Sequence, residues 1–285
     1  MKESRTKLIE RIAEKHSLNL QGFKSLTGGD INEVYKLECK DQTLVLKVNS
    51  ALKFPGMFEA EKKGLELLAG PGVIRIPKTF ETATLDDHSY LLLEFIPSGT
   101  KNSDFWRVFG SQLAQLHSVQ SDQFGLDHDN YLGSLPQQNS YRTDAISFYT
   151  EMRLEPQLKL AREKGHNLPD ASILFKNCES IIPKEKASLI HGDLWGGNYL
   201  VDANGRPCII DPAVAYAPRE MDIAMTRLFG SFDNQMISSY QDYFPLENDW
   251  EQRIELWQLY HLLMHLNVFG ASYKSQVTEI IHKYS

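Results

Sequence analysis

Four residues in the stretch IHGDLWGGNYLVDANGRPCIIDP (190–212) have side chains and a spacing suited to chemistry on a phosphate: His191, Asp193, Asn198 and Asp211. Asp193 is a carboxylate that can orient an attacking hydroxyl and accept its proton. Asn198 and Asp211 supply hard oxygen donors, the type that Mg²⁺ prefers, and Mg²⁺ keeps few protein ligands and several waters. On these four residues alone a hydrolase, a phosphotransferase and a folded binder all stay open.

The spacing narrows the choice. H-x-D-x-x-x-x-N, followed by an Asp beyond a strand turn, is similar to the protein-kinase catalytic loop H-R-D-x-x-x-x-N, with Asp211-Pro212-Ala213 standing where D-F-G would be. That chemistry needs a cation on the α- and β-phosphates. Lys47 lies in the apolar run LVLKVN, where an unpaired ammonium is costly to bury, so it is placed as that cation. Glu61, in FEAEKKGLELLA (58–69), is the candidate ion-pair partner; Glu59 lies two residues away and points off that face, so only one of them can serve. Residues 27–32, with Gly28, Gly29 and Asp30, then form the loop over the phosphates, although two glycines fall short of G-x-G-x-x-G. Glu94, Phe95 and Ile96 precede Pro97-Ser98-Gly99 and are expected to be the hinge whose backbone receives adenine.

His191 is expected to hold the loop by hydrogen bonds to backbone or to the region of Asp211. Asp222 and Arg227, five apart in REMDIAMTRLF, are read as structural braces beneath it. Trp195 stands beside the proposed base and suits a platform for a sugar or amine. Tyr131, Tyr216 and Arg219 are further candidate substrate contacts. His261 and His265 have the i, i+4 spacing of a metal pair, but the Glu of H-E-x-x-H is missing and the surrounding aromatic residues suggest a core or substrate-facing helix, so a metal role is rejected.

The elements that must position these residues are legible in outline. Leu8, Ile9 and Ile12 mark the apolar face of a first helix. Strand-like runs at 34–39 and 43–48 make a meander whose first hairpin contains Gly28-Gly29, and a helix at 58–69 ends at Pro71-Gly72. Strands at 78–83 and 89–95 follow, and Pro97-Ser98-Gly99 marks a boundary. Beyond it the pattern is helical at 104–118, 145–164, 171–181, 220–229, 236–243 and 249–269. One β island is expected there, 199–201 and 207–210 about the turn Asn204-Gly205. The fold class is α+β and bilobal: a small β-rich lobe with one helix at 1–97, then a larger mainly helical lobe at 98–285.

The bulk composition bounds the rest. The chain has 285 residues, 42% of them hydrophobic, enough for a large core without staples. A net charge of −7 disfavours a broad nucleic-acid or acidic-membrane surface. Cys39, Cys178 and Cys208 are odd in number and lack a CxxC pair, which argues against a disulfide framework and a structural zinc site. The first twenty residues carry charges throughout, and no apolar run has the length of a membrane span. A cytoplasmic protein is expected, with no nucleic-acid or membrane partner; a monomer is favoured, though nothing in the sequence fixes the oligomeric state.

Gly192 stands where H-R-D has Arg, and no A-P-E follows Asp211. Both departures point away from protein kinases and towards small-molecule kinases of the same fold. More closely, HGDLWGGN and IIDPAVAYAPREMDIAMTRLFGSF, with KVN at 47–49, MFEAEKKGL at 57–65 and DNYLGSLPQ at 129–137, resemble the fructosamine kinase (ketosamine 3-kinase) family over residues 27 to about 273. Trp195, directly after Asp193-Leu194, is the most distinctive point of likeness. The resemblance implies a protein-kinase-like fold, ATP and Mg²⁺, and phosphorylation of the C3 hydroxyl of an amine-linked ketose (ribulosamine, erythrulosamine or fructosamine), free or protein-bound, as deglycation repair. The alternative is an aminoglycoside- or choline-type phosphotransferase. An inactive kinase-fold binding module is disfavoured because Lys47, Asp193 and Asp211 are all present, and a metal-dependent hydrolase because Lys47 would then have no role.

Overall fold

The computed structural model describes residues 5–26 and 31–285. The first lobe is a five-stranded antiparallel sheet between two helices. Helix α1 (Arg5–Lys15) precedes strands β1 (Leu20–Leu26), β2 (Glu33–Cys39) and β3 (Thr43–Ser50); helix α2 (Met57–Ala69) then precedes β4 (Thr79–Leu85) and β5 (His88–Glu94). Spatial order is β1-β2-β3-β5-β4. Both faces of the central strands are covered, which explains why LVLKV and YLLLE read as continuous apolar runs without alternation. The period of two sorts them. Leu46, Val48, Tyr90 and Leu92 pack with Leu8, Ile9 and Ile12 of α1, whereas Leu91 and Leu93 pack with Phe58 and Leu65 of α2. Lys47 alternates with Leu46 and Val48, so the strand aims it at the α2 face.

The second lobe is built on helices α3 (Phe105–His117), α4 (Ala145–Tyr149), α5 (Glu155–Glu163), α6 (Ser172–Ile181), α7 (Glu220–Leu228), α8 (Asn234–Tyr243), α9 (Trp250–Phe269) and α10 (Lys274–Lys283). Helix α9 is buried through its middle, with Leu256, Trp257, Leu259, Leu262, Leu263 and Leu266 at 1% exposure or less, as befits the central helix of a lobe. A π-helical turn, Thr150–Leu154, joins α4 to α5 inside the helix expected at 145–164. Pro156 offers no N–H to Met152, and the guanidinium of Arg153 donates to the Met152 carbonyl instead (3.1 Å).

The expectation of one β island in this lobe is corrected. Three small sheets occur: β6 (Gln120–Ser121), β9 (Ala187–Ile190) and β12 (Ala215–Ala217) in the order β12-β9-β6; the hairpin β7 (Asn130–Leu132) with β8 (Leu135–Gln137); and the expected hairpin β10 (Tyr199–Val201) with β11 (Pro207–Ile209). Runs of two to four residues carry too little periodicity to be told from loop or helix. Helix α10 was not anticipated either, although Val277, Ile280 and Ile281 form a buried i, i+3, i+4 stripe.

Candidate active site

Two lobes meet over a cavity of about 640 Å³. Lys47, Glu61, Asp193, Trp195, Asn198 and Asp211 all line it. Lys47, 4% exposed, crosses between the lobes: its ammonium donates to Glu61 Oε1 at 2.6 Å and to Asp211 Oδ1 at 2.9 Å. Burial alone would lower its pKa, but Asp211 and Glu61 outweigh that and hold it above the ordinary lysine value, so it stays charged. Glu61 is the partner of Lys47 in this structure; Glu59 is not bonded to it. Asp211 takes a left-handed backbone conformation, φ +56°, which Asp tolerates better than most residues. Its side chain stays 42% exposed to the cavity.

Asp193 and Asn198 lie in the loop between β9 and β10. The Asn198 amide nitrogen donates to the Asp193 carbonyl (2.8 Å) and to Asp193 Oδ2 (3.0 Å), which ties the carboxylate to the loop. Burial pushes the Asp193 carboxyl up to about 7; the Asn198 hydrogen bond opposes this, and Asp211 and Asp222 reinforce it. A carboxylate poised near neutrality suits a general base.

The loop is hung from the core at both edges. Asp222, fully buried on α7, accepts from the backbone N–H groups of His191 (2.7 Å) and Gly192 (2.8 Å). His191 accepts from the Asp193 N–H at Nδ1 (3.2 Å), which leaves Nε2–H to donate to the Ile210 carbonyl (2.8 Å). Gly192 sits at φ +82°, and a Cβ there would run into the Ala213 carbonyl, so the position between His191 and Asp193 is closed to a side chain. From α9, His261 Nε2 bonds the Gly192 carbonyl at 2.9 Å.

As oxygen donors to a cation, Asn198 and Asp211 are sound in chemistry. The Asn198 nitrogen faces Asp193 and the Asp211 carbonyl, leaving its Oδ1 for a ligand, and Asp211 keeps one oxygen clear of Lys47. Two hard oxygen ligands with water completing the shell suit Mg²⁺. Among the described residues no cluster of three His, Cys, Asp or Glu is placed to hold a metal; in the histidine pair, His265 Nδ1 bonds the His261 carbonyl (2.7 Å).

Several expected site residues stand apart from this cavity. Arg219 does not line it: it is 3% exposed, pairs with Glu185, donates to the Phe244 and Pro245 carbonyls (2.8 and 2.7 Å) and lies over the Phe244 ring. Tyr216 sits in β12, paired to β9, and does not line the cavity. Arg227 does not brace the catalytic loop; it lies 3.6 Å from Glu251 and over Trp250. Five residues of helix turn through about 500°, which leaves Arg227 about 140° round α7 from Asp222. Tyr131 lines the cavity, but its hydroxyl donates to the Pro55 carbonyl (2.9 Å). Glu94 binds Arg75 (2.9 Å), and neither it nor Phe95 or Ile96 lines the cavity around Lys47. Gly28, Gly29 and Asp30 lie outside the described residues.

The far wall comes from the helix read as core or substrate-facing, and it is both: Met264, His265, Val268 and Phe269 of one face of α9 line the cavity, residues the sequence reading did not single out for it. The i, i+1, i+4, i+5 spacing was there to read, yet an apolar helix face is core more often than cleft. Sequence reasoning missed His117, whose Nε2 lies 3.2 Å from Asp222.

Comparison with known proteins agrees with this geometry. The fructosamine kinase family model matches residues 1–285. A probable ketoamine kinase of Enterococcus faecium is 40% identical over 265 residues, covering 91% of this chain and 94% of the relative. A chloroplastic protein-ribulosamine 3-kinase of Arabidopsis thaliana is 35% identical, covering 96% and 85%. Among solved structures, a putative fructosamine-3-kinase from Haemophilus somnus superposes with a TM-score of 0.88 at 28% identity over 97% of this chain and 96% of that one. A spectinomycin phosphotransferase at 16% identity and TM-score 0.63, covering 100% and 94%, shares the protein-kinase-like fold. With its whole length matched and its lobes arranged as in these kinases, the chain belongs to the fructosamine kinase family and is an ATP-dependent phosphotransferase.

Proposed function

We propose that the chain transfers the γ-phosphoryl group of ATP to the C3 hydroxyl of an amine-linked ketose. The observation that carries this reading is one cavity lined by both the Lys47–Glu61–Asp211 triad and the Asp193–Asn198 pair. Asp193 orients the sugar hydroxyl and takes its proton as the oxygen bonds to phosphorus and ADP departs. Lys47 holds the α- and β-phosphates, with Glu61 fixing its direction. Asn198 Oδ1 and the free oxygen of Asp211 would hold Mg²⁺, which neutralises charge on the phosphate oxygens when bound. The backbone of Glu94, Phe95 and Ile96 is assigned to the adenine side. The lobes divide at 97/98.

Trp195, 38% exposed and edge-on to Phe229, is the platform for the sugar or its amine. Among the described residues, the acidic groups lining the cavity are Glu61, Asp193 and Asp211, each already engaged in the transfer machinery. A polycationic aminoglycoside would call for additional carboxylates, so a ketosamine is the better fit. Elimination from the 3-phosphate would free the amine, which makes the activity a deglycation step. The thiols of Cys39, Cys178 and Cys208 are all free, which suits a cytoplasmic location. Among the described residues no helix is long and apolar enough to cross a membrane.

The test is ATP consumption with Mg²⁺ on ribuloselysine, erythruloselysine, fructoselysine, kanamycin and choline, with Asp193→Ala as control. Turnover on a ketosamine that the substitution abolishes, with ATP binding retained, is the expected result. Turnover confined to kanamycin or choline would overturn the acceptor class.

A further inference from the structure

The β7–β8 hairpin belongs to the second lobe but is bonded to both. At its root, Asn130 Nδ2 donates to the Val214 carbonyl (2.9 Å) and Gln137 Nε2 to the Ala213 carbonyl (3.2 Å), so it grips the two backbone groups that follow Asp211 and Pro212. On its outer side, Tyr131 donates its hydroxyl to the carbonyl of Pro55, immediately before α2, and its ring meets Phe54 edge-on at 6.5 Å. The hairpin therefore links the segment behind Asp211 to the entry of the helix that carries Glu61. The two lobes touch again close by, where Gly64 of α2 leaves room for Val214; a Cβ at that position would lie 3.2 Å from Val214 Cγ2.

We propose that this hairpin is an inter-lobe brace that holds Lys47 and Glu61 in register with Asp211, and that Tyr131 is its positioning residue, not a substrate contact. The proposal rests on the phosphotransferase reading above. Lys47 reaches Asp211 at 2.9 Å only while the lobes are together. A lobe that swings open breaks the Tyr131–Pro55 bond as well as that ion pair. Nucleotide binds the closed arrangement, so its apparent affinity falls in proportion to the closed fraction. Once nucleotide is saturating, its own contacts with both lobes restore the register.

Tyr131→Phe in the full chain removes only the hydroxyl and leaves the ring against Phe54. Loss of one neutral hydrogen bond should lower the closed-to-open ratio roughly three- to tenfold and raise KM for ATP by about twofold up to that factor, with kcat within about twofold and the melting temperature within a few degrees. In the ATP-free protein, amide exchange across α2 should quicken, a readout that a merely local packing role would leave alone. Unchanged exchange in α2, an unchanged KM for ATP, or a fall confined to kcat would each overturn the brace. Exchange is read without any acceptor, so unmodified protein that phosphorylates nothing would sink the functional reading while the exchange result still decides the brace.

Discussion

Replacing Lys47 with Met separates the electrostatic account of the site from a packing account. The ammonium is 4% exposed and touches two carboxylates, and methionine fills similar volume without charge. Glu61, with a side chain only 10% exposed, is then left without its partner. Asp211 can turn to solvent, being 42% exposed, but Glu61 cannot, so it takes a proton instead. Its ordinary pKa is 4.5, so neutralising it on folding costs about 3 kcal/mol at pH 7 and less than about 1 at pH 5. The sign follows from the raised folded pKa: above 4.5 the unfolded state sheds the proton that the folded variant must keep, so the variant loses stability as pH rises. Urea unfolding of both proteins at pH 5 and pH 7 reads the difference directly. Lys47→Met/Glu61→Gln should recover most of the loss at pH 7, because the glutamine carries no charge to bury. ATP turnover should fall on the order of a hundredfold or more in either variant. A destabilisation equal at both pH values, or a double variant as unstable as the single, would show that Glu61 is not restrained by Lys47 and would undo the argument for the triad.

Two further outcomes are expected. Trp195→Ala should raise KM for the ketosamine about tenfold while KM for ATP moves less than twofold, since an aromatic platform contributes on the order of 1 kcal/mol; equal rises in both constants would rule out a sugar platform. His261 is buried under the catalytic loop, and burial lowers its pKa from 6.5 to about 4, so the unfolded chain takes up a proton between those values that the folded one refuses. Stability should fall by about 2 kcal/mol as pH drops from 7 to 5 on this account, and His261→Gln, which keeps a donor for the Gly192 carbonyl, should flatten that slope in denaturant titrations; an unchanged slope would mean that His261 titrates normally.

What the sequence made legible was the set of residues whose side chains cannot be explained locally. A lysine inside LVLKVN has no solvent to reach, so it had to have a partner; in the folded sheet its alternation with Leu46 and Val48 puts it on the α2 face, where Glu61 meets it. The H-G-D-x-x-x-x-N spacing placed Asp193 and Asn198 within one loop, where they are hydrogen-bonded. What stayed hidden depended on tertiary approach. Arg219 looks like a cleft arginine from its place after Tyr216, yet Glu185, 34 residues earlier, captures it. Asp222 and Arg227 share a motif but not a helix face. The hairpin at 130–137 is three residues per strand, too short to show a period, and its polar residues Asn130 and Gln137 read as ordinary loop until Val214 and Ala213 are seen beside them.

The two halves of the site are held by different means, and this bears on how it works. The Asp193 loop is fixed within one lobe: Asp222 takes two of its N–H groups, His261 reaches one of its carbonyls, and His191 closes the turn onto Ile210. None of those bonds depends on the first lobe. The Lys47–Asp211 pair, by contrast, is completed across the cleft, because Lys47 belongs to the sheet and Asp211 to the helical lobe. On the proposed mechanism, with Asp193 as base and Lys47 and Asp211 as phosphate clamp, lobe separation changes the clamp and leaves the base in place. Substitutions in the Asp222 support should therefore act on the transfer step, whereas those at the lobe junction should act first on nucleotide affinity.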